Sequence, residues 1–348
     1  MAKLFTDNLS PAEVQRRVGD MRQLAGAEPF EFSAGNQRGV RAVRLYNAAG
    51  LDLDVIAERG MGLGRLAFQG APLAWMSPTG MVHPTYLEGE PLGWLRNFPG
   101  GFLTPCGLTQ VGSPGEDNGE KLGIHGRLSN LAAENLSWGA GWQDGRYIAW
   151  AQGAVREARV FGENLLLTRR VSLALDEPRL WIEDRVENQG FSPAPHMFLQ
   201  HINLGFPLLG PETRLQLPAG RSVPRDDDAR PGLADCCRFQ PPTPGYREQV
   251  FYHYLESGPD GRVEVRLENP AFGGGRGLGL ALRYARSEYP VLVQWKMMGE
   301  GMYVLGLEPA NCHVEGRAAE RARGTLQTLE PDEVRSYRLE FEFFAAAG

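Results

Sequence analysis

The chain has 348 residues, 42% of them hydrophobic and 22% charged, which is a globular composition with material for a large core. A formal net charge of −6 without any run of basic residues argues against a nucleic-acid partner, which would need a basic face. No stretch approaches the roughly 18 continuous apolar residues of a bilayer span, and the start MAKLFTDNLSPAEV has no apolar run behind a basic end. The expectation is a cytoplasmic protein, with no membrane partner and with free thiols at Cys106, Cys236, Cys237 and Cys312.

The first predicted element is a helix over Pro11–Ala25, with Ser10 as its cap and Pro11 at its first position. It defines a helical extension over 1–29, ahead of a single β-sandwich domain over 30–348. From there the chain is built of short apolar or alternating runs separated by Gly, Pro, Asn and Asp. In order they are Val40–Tyr46, Leu51–Ile56, Arg146–Val155, Leu165–Leu175, Leu180–Glu187, Met197–Leu204, Arg262–Leu267, Gly277–Tyr284, Val291–Met297, Met302–Leu307 and Ser336–Phe343. Alternation is clearest where Leu180, Ile182, Asp184 and Val186 oppose Trp181, Glu183 and Arg185. Period-two patterning with turn residues about every ten positions predicts an all-β sandwich or barrel. No helix-length amphipathic segments alternate with these runs, which disfavours a parallel βαβ sheet. The Pro- and Gly-rich connection Leu208–Pro244 is expected to be a long, mobile surface loop.

Three segments carry polar residues suited to chemistry. In Ile124-His125-Gly126-Arg127, His125 and Arg127 share parity, so an extended backbone would point both into one cleft. In His196–Asn203, His201 and Asn203 share a face with Met197 and Leu199, and polar groups among apolar neighbours require partners. In Tyr303–Cys312, Glu308 sits at the end of an apolar strand ahead of Pro309, where an ionised carboxylate is costly and points to function. Trp75, Trp94 and Trp295 offer flat faces on which a pyranose can stack. The glycine-rich stretches Arg59–Gly64 and Gly273–Gly277 lie between no strand and helix, so they read as turns rather than phosphate loops.

Taken together, the His-Gly-Arg segment, the His-x-Asn strand, the Leu-Glu-Pro strand end and the closing Gly324–Glu333 segment resemble the galactose mutarotase-like superfamily, in particular its aldose 1-epimerase-related bacterial branch. Phe98-Pro-Gly-Gly-Phe102 and Cys106-Gly107 are similar to that branch as well. The resemblance covers about residues 30–343. It implies a large antiparallel β-supersandwich with a sugar cleft across one sheet. It further implies His201 as the acid that protonates the ring oxygen and Glu308 as the base at the anomeric hydroxyl. His125 matches a second, sugar-binding histidine, and Arg59 an arginine near the start of the cleft. Where the family places an Asp, this chain reads Val250–Glu256, so His253 is expected to substitute for it. Substrate contacts are thus expected from Arg59, His125, Arg127, Asn203, His253 and Trp295. No metal or cofactor is required, the partner is a small sugar, and the assembly is a monomer or homodimer. Two other readings stay open: a metal-dependent sugar isomerase holding its ion with His196, His201 and Glu308, and a sugar sensor without turnover.

Overall fold

The computed structural model describes residues 2–4 and 7–346 and is dominated by two antiparallel sheets. One has eight strands, in the order Glu134–Gln143, Arg146–Ala158, Asn164–Ala174, Arg179–Asn188, Val334–Phe344, Leu278–Ala285, Arg262–Asn269 and Arg214–Gln216. The other has twelve and runs from Gly220–Pro224 at one edge to Gly26–Glu31 at the other. Five adjacent strands of this larger sheet hold His201, Asn203, His253, Trp295 and Glu308 or pair with a strand that does: β1 (Leu103–Leu108), β2 (Ala194–Leu204), β3 (Gln249–Leu255), β4 (Val291–Gly299) and β5 (Met302–Ala310), in the spatial order β3-β4-β5-β2-β1.

Alternation decides what each strand contributes. Phe198, Ile202 and Leu204 of β2 point between the sheets with Leu292, Leu305 and Leu307, and meet Leu167, Val171, Ile182 and Phe341 of the eight-stranded sheet. Met197 and Leu199 point the other way, into a second apolar cluster with Cys106, Val250, Tyr252, Val293, Val304 and Ala310. The large sheet is therefore covered on both faces, which explains why its strands read as nearly continuous apolar runs. Between the sheets lies one ion pair, Arg169 bonded twice to Asp184 at 2.7 Å and once to Gln200 Oε1 at 2.8 Å. With both charges fully buried, each depends on the other for solvation.

The expected N-terminal helix is much shorter than its sequence suggests. A capping box forms, Glu13 N donating to Ser10 Oγ at 3.3 Å and Ser10 N to Glu13 Oε2 at 2.8 Å, yet the helix spans only Pro11–Gln15. It buries Val14 alone, and the Gly19-Asp20 pair starts a separate 3-10 turn at Met21–Gln23, so there is no apolar stripe to support more turns. Residues 2–4 and 7–9 pair as a small hairpin, and Gly26–Glu31 is an edge strand of the main sheet that runs across the expected boundary at 29/30. The helical extension is thus largely strand and turn. The segment Leu208–Pro244 also departs from expectation. It gives Arg214–Gln216 to one sheet, Gly220–Pro224 to the other, and a 3-10 turn at Arg230–Asp235. Among the described residues, no helix is long and apolar enough to cross a membrane.

Candidate active site

On the outward face of the large sheet, register brings the polar residues into one row. Leu199 pairs with Ala310 and Asn203 with Gly306, which sets His201 of β2 opposite Glu308 of β5. His201 also pairs with Thr104 of β1, Glu308 with Val293 of β4, and Val293 with Tyr252 of β3. Glu308 is thus inside a strand that continues to Ala310 rather than at its end. Its carboxylate folds back over Gly306, where a Cβ would come within 2.4 Å of Glu308 Oε1. The absence of a side chain at 306 is what makes room for it.

His201 Nε2 and Glu308 Oε1 approach to 3.3 Å, with the residues only 5% and 2% exposed. The contact is not an aligned hydrogen bond, and Oε1 of Glu308, Nδ1 of His201 and Nδ1 of His125 are all buried without a partner. Such orphaned atoms are uncommon in a folded core, and these three lie close together. Aromatic rings enclose them. His201 is 5.2 Å from Phe98, 5.5 Å from Trp295 and 5.6 Å from His125, ring to ring, and Trp94 stacks on Phe98 at 4.3 Å and lies 4.7 Å from His125. Trp295 is oriented by its indole N–H, which donates to Glu248 Oε2 at 2.8 Å, and Glu248 Oε1 accepts from Arg225 at 3.2 Å.

Burial sets the protonation. It lowers His201 to about 3, with His125 adding to the effect, lowers His125 to about 4, and lifts the Glu308 carboxyl well above the ordinary carboxylate range. Desolvation thus favours the neutral imidazole at His201 and disfavours ionisation of the Glu308 carboxyl, so the two titrate as a coupled pair.

Of the residues expected on the sugar, the structure brings His125, His201, Glu308 and Trp295 together. His253 is not among them. As the odd neighbour of Tyr252 it points to the opposite face of β3, where it bonds Ser222 Oγ at 2.7 Å and Gln294 Oε1 at 2.9 Å. Arg127 also turns elsewhere, toward Glu120 at 3.2 Å and Glu157 at 3.6 Å. The parity argument fails because His125 and Gly126 have φ of +57° and +73°, so the backbone there is not extended. Arg59 is buried behind the aromatic wall and donates to Asn97, to Asn130 Oδ1 at 2.6 Å and to Val82 O at 3.3 Å; desolvation lowers it to about 9. It fixes Asn97, next to Phe98, while its Nε is buried without a partner. Asn203 keeps the predicted face but donates to Gly101 O and His201 O, both at 3.0 Å, and so positions the His201 strand. The alternative metal set is not assembled, since His196 faces the inside of the sandwich and bonds Tyr337 Oη at 2.7 Å. Sequence reading missed Glu248, exposed, and Arg225, half-buried, whose only signal was their place beside Val250 and in the acidic 225–228 run.

Comparison with known proteins agrees with this architecture. A family described as a domain of unknown function (DUF4432) matches residues 37–343. The chain belongs to that family. No curated protein matches the DUF4432 chain in sequence. Among solved structures, a Klebsiella pneumoniae protein carrying a provisional aldose 1-epimerase name superposes with a TM-score of 0.87 at 22% identity, over 95% of this chain and 86% of the other. A galactose mutarotase-like protein from Clostridium acetobutylicum gives 0.61 at 12% identity, over 93% and 100%. The galactose 1-epimerase of Lactobacillus acidophilus gives 0.58 at 13% identity, over 92% and 98%. This DUF4432 member thus has the galactose mutarotase-like fold, as its motifs implied.

Proposed function

We propose that the protein is an isomerase of the aldose 1-epimerase type, interconverting the anomers of a sugar held on the outward face of the large sheet. The observation that carries this reading is the His201–Glu308 pair: an imidazole nitrogen and a carboxyl oxygen 3.3 Å apart, with unpartnered polar atoms within an aromatic enclosure. Opening a cyclic hemiacetal needs one proton delivered to the ring oxygen and one removed from the anomeric hydroxyl. A proton hop from Glu308 to His201 gives an imidazolium donor and a carboxylate acceptor side by side. That ion pair is costly in an empty, desolvated site. Sugar hydroxyls donating to the carboxylate offset the cost, so the reactive form is favoured when substrate is present. His201 then protonates the ring oxygen while Glu308 takes the anomeric proton. The aldehyde rotates and recloses with the roles reversed, leaving the pair again with one proton. His125 is placed to bond a hydroxyl, and Trp295 and Phe98 to cover the C–H faces.

The test is anomer-exchange NMR on a panel of free and phosphorylated aldoses. Glu308→Gln should lower exchange by the roughly 10²–10⁴-fold typical of positioned acid–base groups, with sugar affinity little changed. His201→Asn should lose a similar factor, and the double variant far less than the product. Undiminished exchange in folded Glu308→Gln removes the pair from the mechanism. Sugar binding with no exchange in the parent protein makes it a sensor.

A further inference from the structure

Behind the site, on the face of the large sheet away from His201, two adjacent thiols meet. Cys236 is buried and Cys237 half-buried, and their Sγ atoms lie 3.8 Å apart, directly after the 3-10 turn Arg230–Asp235. This turn is fastened to β4 by two bonds: Gln294 Nε2 donates to Cys236 O at 2.7 Å, and Lys296 Nζ to Asp235 O at 3.0 Å. Between Gln294 and Lys296 in sequence, and on the opposite face of the same strand, stands Trp295, the wall against His201. The thiol pair is therefore connected to the site through one strand and the two residues that flank its key aromatic.

The local chemistry favours oxidation. The contact between the two sulfurs and the buried Lys296 ammonium nearby lower the Cys236 thiol, while the Cys237 thiol is pushed up. A stabilised thiolate next to a resolving thiol is the arrangement of peroxide-reactive cysteines.

We propose that Cys236 and Cys237 are a peroxide-oxidisable pair whose closure to a vicinal disulfide loosens the Trp295 wall of the sugar site. The Cys236 thiolate attacks one oxygen of hydrogen peroxide. The O–O bond breaks, hydroxide leaves and is protonated to water, and Cys236 becomes a sulfenic acid, oxidised by two electrons. Cys237, giving up its proton, attacks the Cys236 sulfur, so that the S–S bond forms as the S–O bond breaks and a second water departs. Two thiols and one peroxide thus yield one disulfide and two waters. Closure must shorten the S···S separation from 3.8 Å to about 2.05 Å. It also joins residues whose Cα atoms are about 3.8 Å apart, below the usual ~4.4–6.8 Å for a disulfide. The ring is strained, so thiols reopen it readily, and the strain falls on the peptide whose carbonyl Gln294 holds.

The effect on turnover rests on the isomerase reading above, whereas the chemical readouts do not. The full chain is treated with hydrogen peroxide and followed by intact mass, thiol titration and tryptophan fluorescence. The expected result is loss of two hydrogen atoms, titratable thiols falling by two, a changed emission that Trp295→Phe abolishes, and exchange slowed by roughly tenfold or more, all reversed by dithiothreitol. Cys236→Ser and Cys237→Ser should each keep the basal exchange rate and lose the reversible response. Unchanged thiol titre, direct passage to a sulfinic acid, or a disulfide that leaves Trp295 emission and sugar binding untouched would each overturn the proposal. If untreated protein shows no exchange, the isomerase reading fails, and mass and fluorescence still decide this one.

Discussion

Lowering the pH from 7.5 to 5.5 should destabilise this protein through histidines buried in neutral form. His196, His201 and His253 are each almost wholly buried, and desolvation lowers them to about 3, 3 and 4 respectively. Between those values and about 6.5 the unfolded chain binds a proton that the folded chain refuses. Stability therefore falls as pH drops through 6.5, and continues to fall until about 4. One unit below 6.5, each histidine contributes about 1.4 kcal/mol of loss, about 4 kcal/mol for the three. Glu308 opposes them. Its carboxyl is raised, so its contribution is full below the unfolded carboxylate value and is lost as pH rises, and acidification restores some stability there. His125, also lowered to about 4, adds to the loss, and a net loss of stability on acidification is expected, to be set against a typical ~5–15 kcal/mol. Urea unfolding at the two pH values measures it. His253, outside the reacting row, isolates one contribution: His253→Gln should reduce the pH 7.5-to-5.5 difference by about 1.4 kcal/mol, whatever it does to stability at either pH alone. An unchanged pH difference in that variant would show that His253 is protonated in the fold and would refute the reasoning.

Gly306→Ala should leave the fold intact yet displace the Glu308 carboxylate, because its new Cβ would lie 2.4 Å from Oε1; a shift of about 1 Å would slow exchange by roughly 10²-fold, and an unaltered rate would show that Glu308 reacts from another rotamer. Trp295→Ala removes the wall over His201 and should raise KM for the sugar more than it lowers kcat, as steady-state exchange on both parameters would report. Arg169→Met strands the buried Asp184 carboxylate and should cost about 3–5 kcal/mol, read from the urea midpoint, whereas Arg230→Met, whose partner Asp227 is exposed like the arginine itself, should cost far less.

What could be read in the sequence was whatever depends on periodicity. Leu51–Ile56 coincides with its strand, and runs such as Leu180–Glu187 and Val291–Met297 fall within a residue or two of theirs, because a face buried in a core must be apolar at every second position. The same rule put His201 on the face it shares with Met197 and Leu199, whereas Glu308, expected at a strand end, lies inside its strand. It failed wherever the backbone left the extended form or no neighbour fixed the sign of the alternation. The left-handed turn at His125-Gly126 separates Arg127 from the cluster, and only the pairing of Tyr252 with Val293 reveals that His253 points inward. The N-terminal helix was overestimated because capping starts a helix but cannot extend one that buries a single Val. Glu248 and Arg225 were invisible, since their importance lies in contacts made across the sheet. Sequence by itself thus determined the architecture, which follows from local alternation, while the cost of a buried charge and the family resemblance singled out His201 and Glu308 as candidates. Tertiary structure alone decided which polar residues share the cleft, because register and turn geometry are set by pairing between strands far apart in the chain.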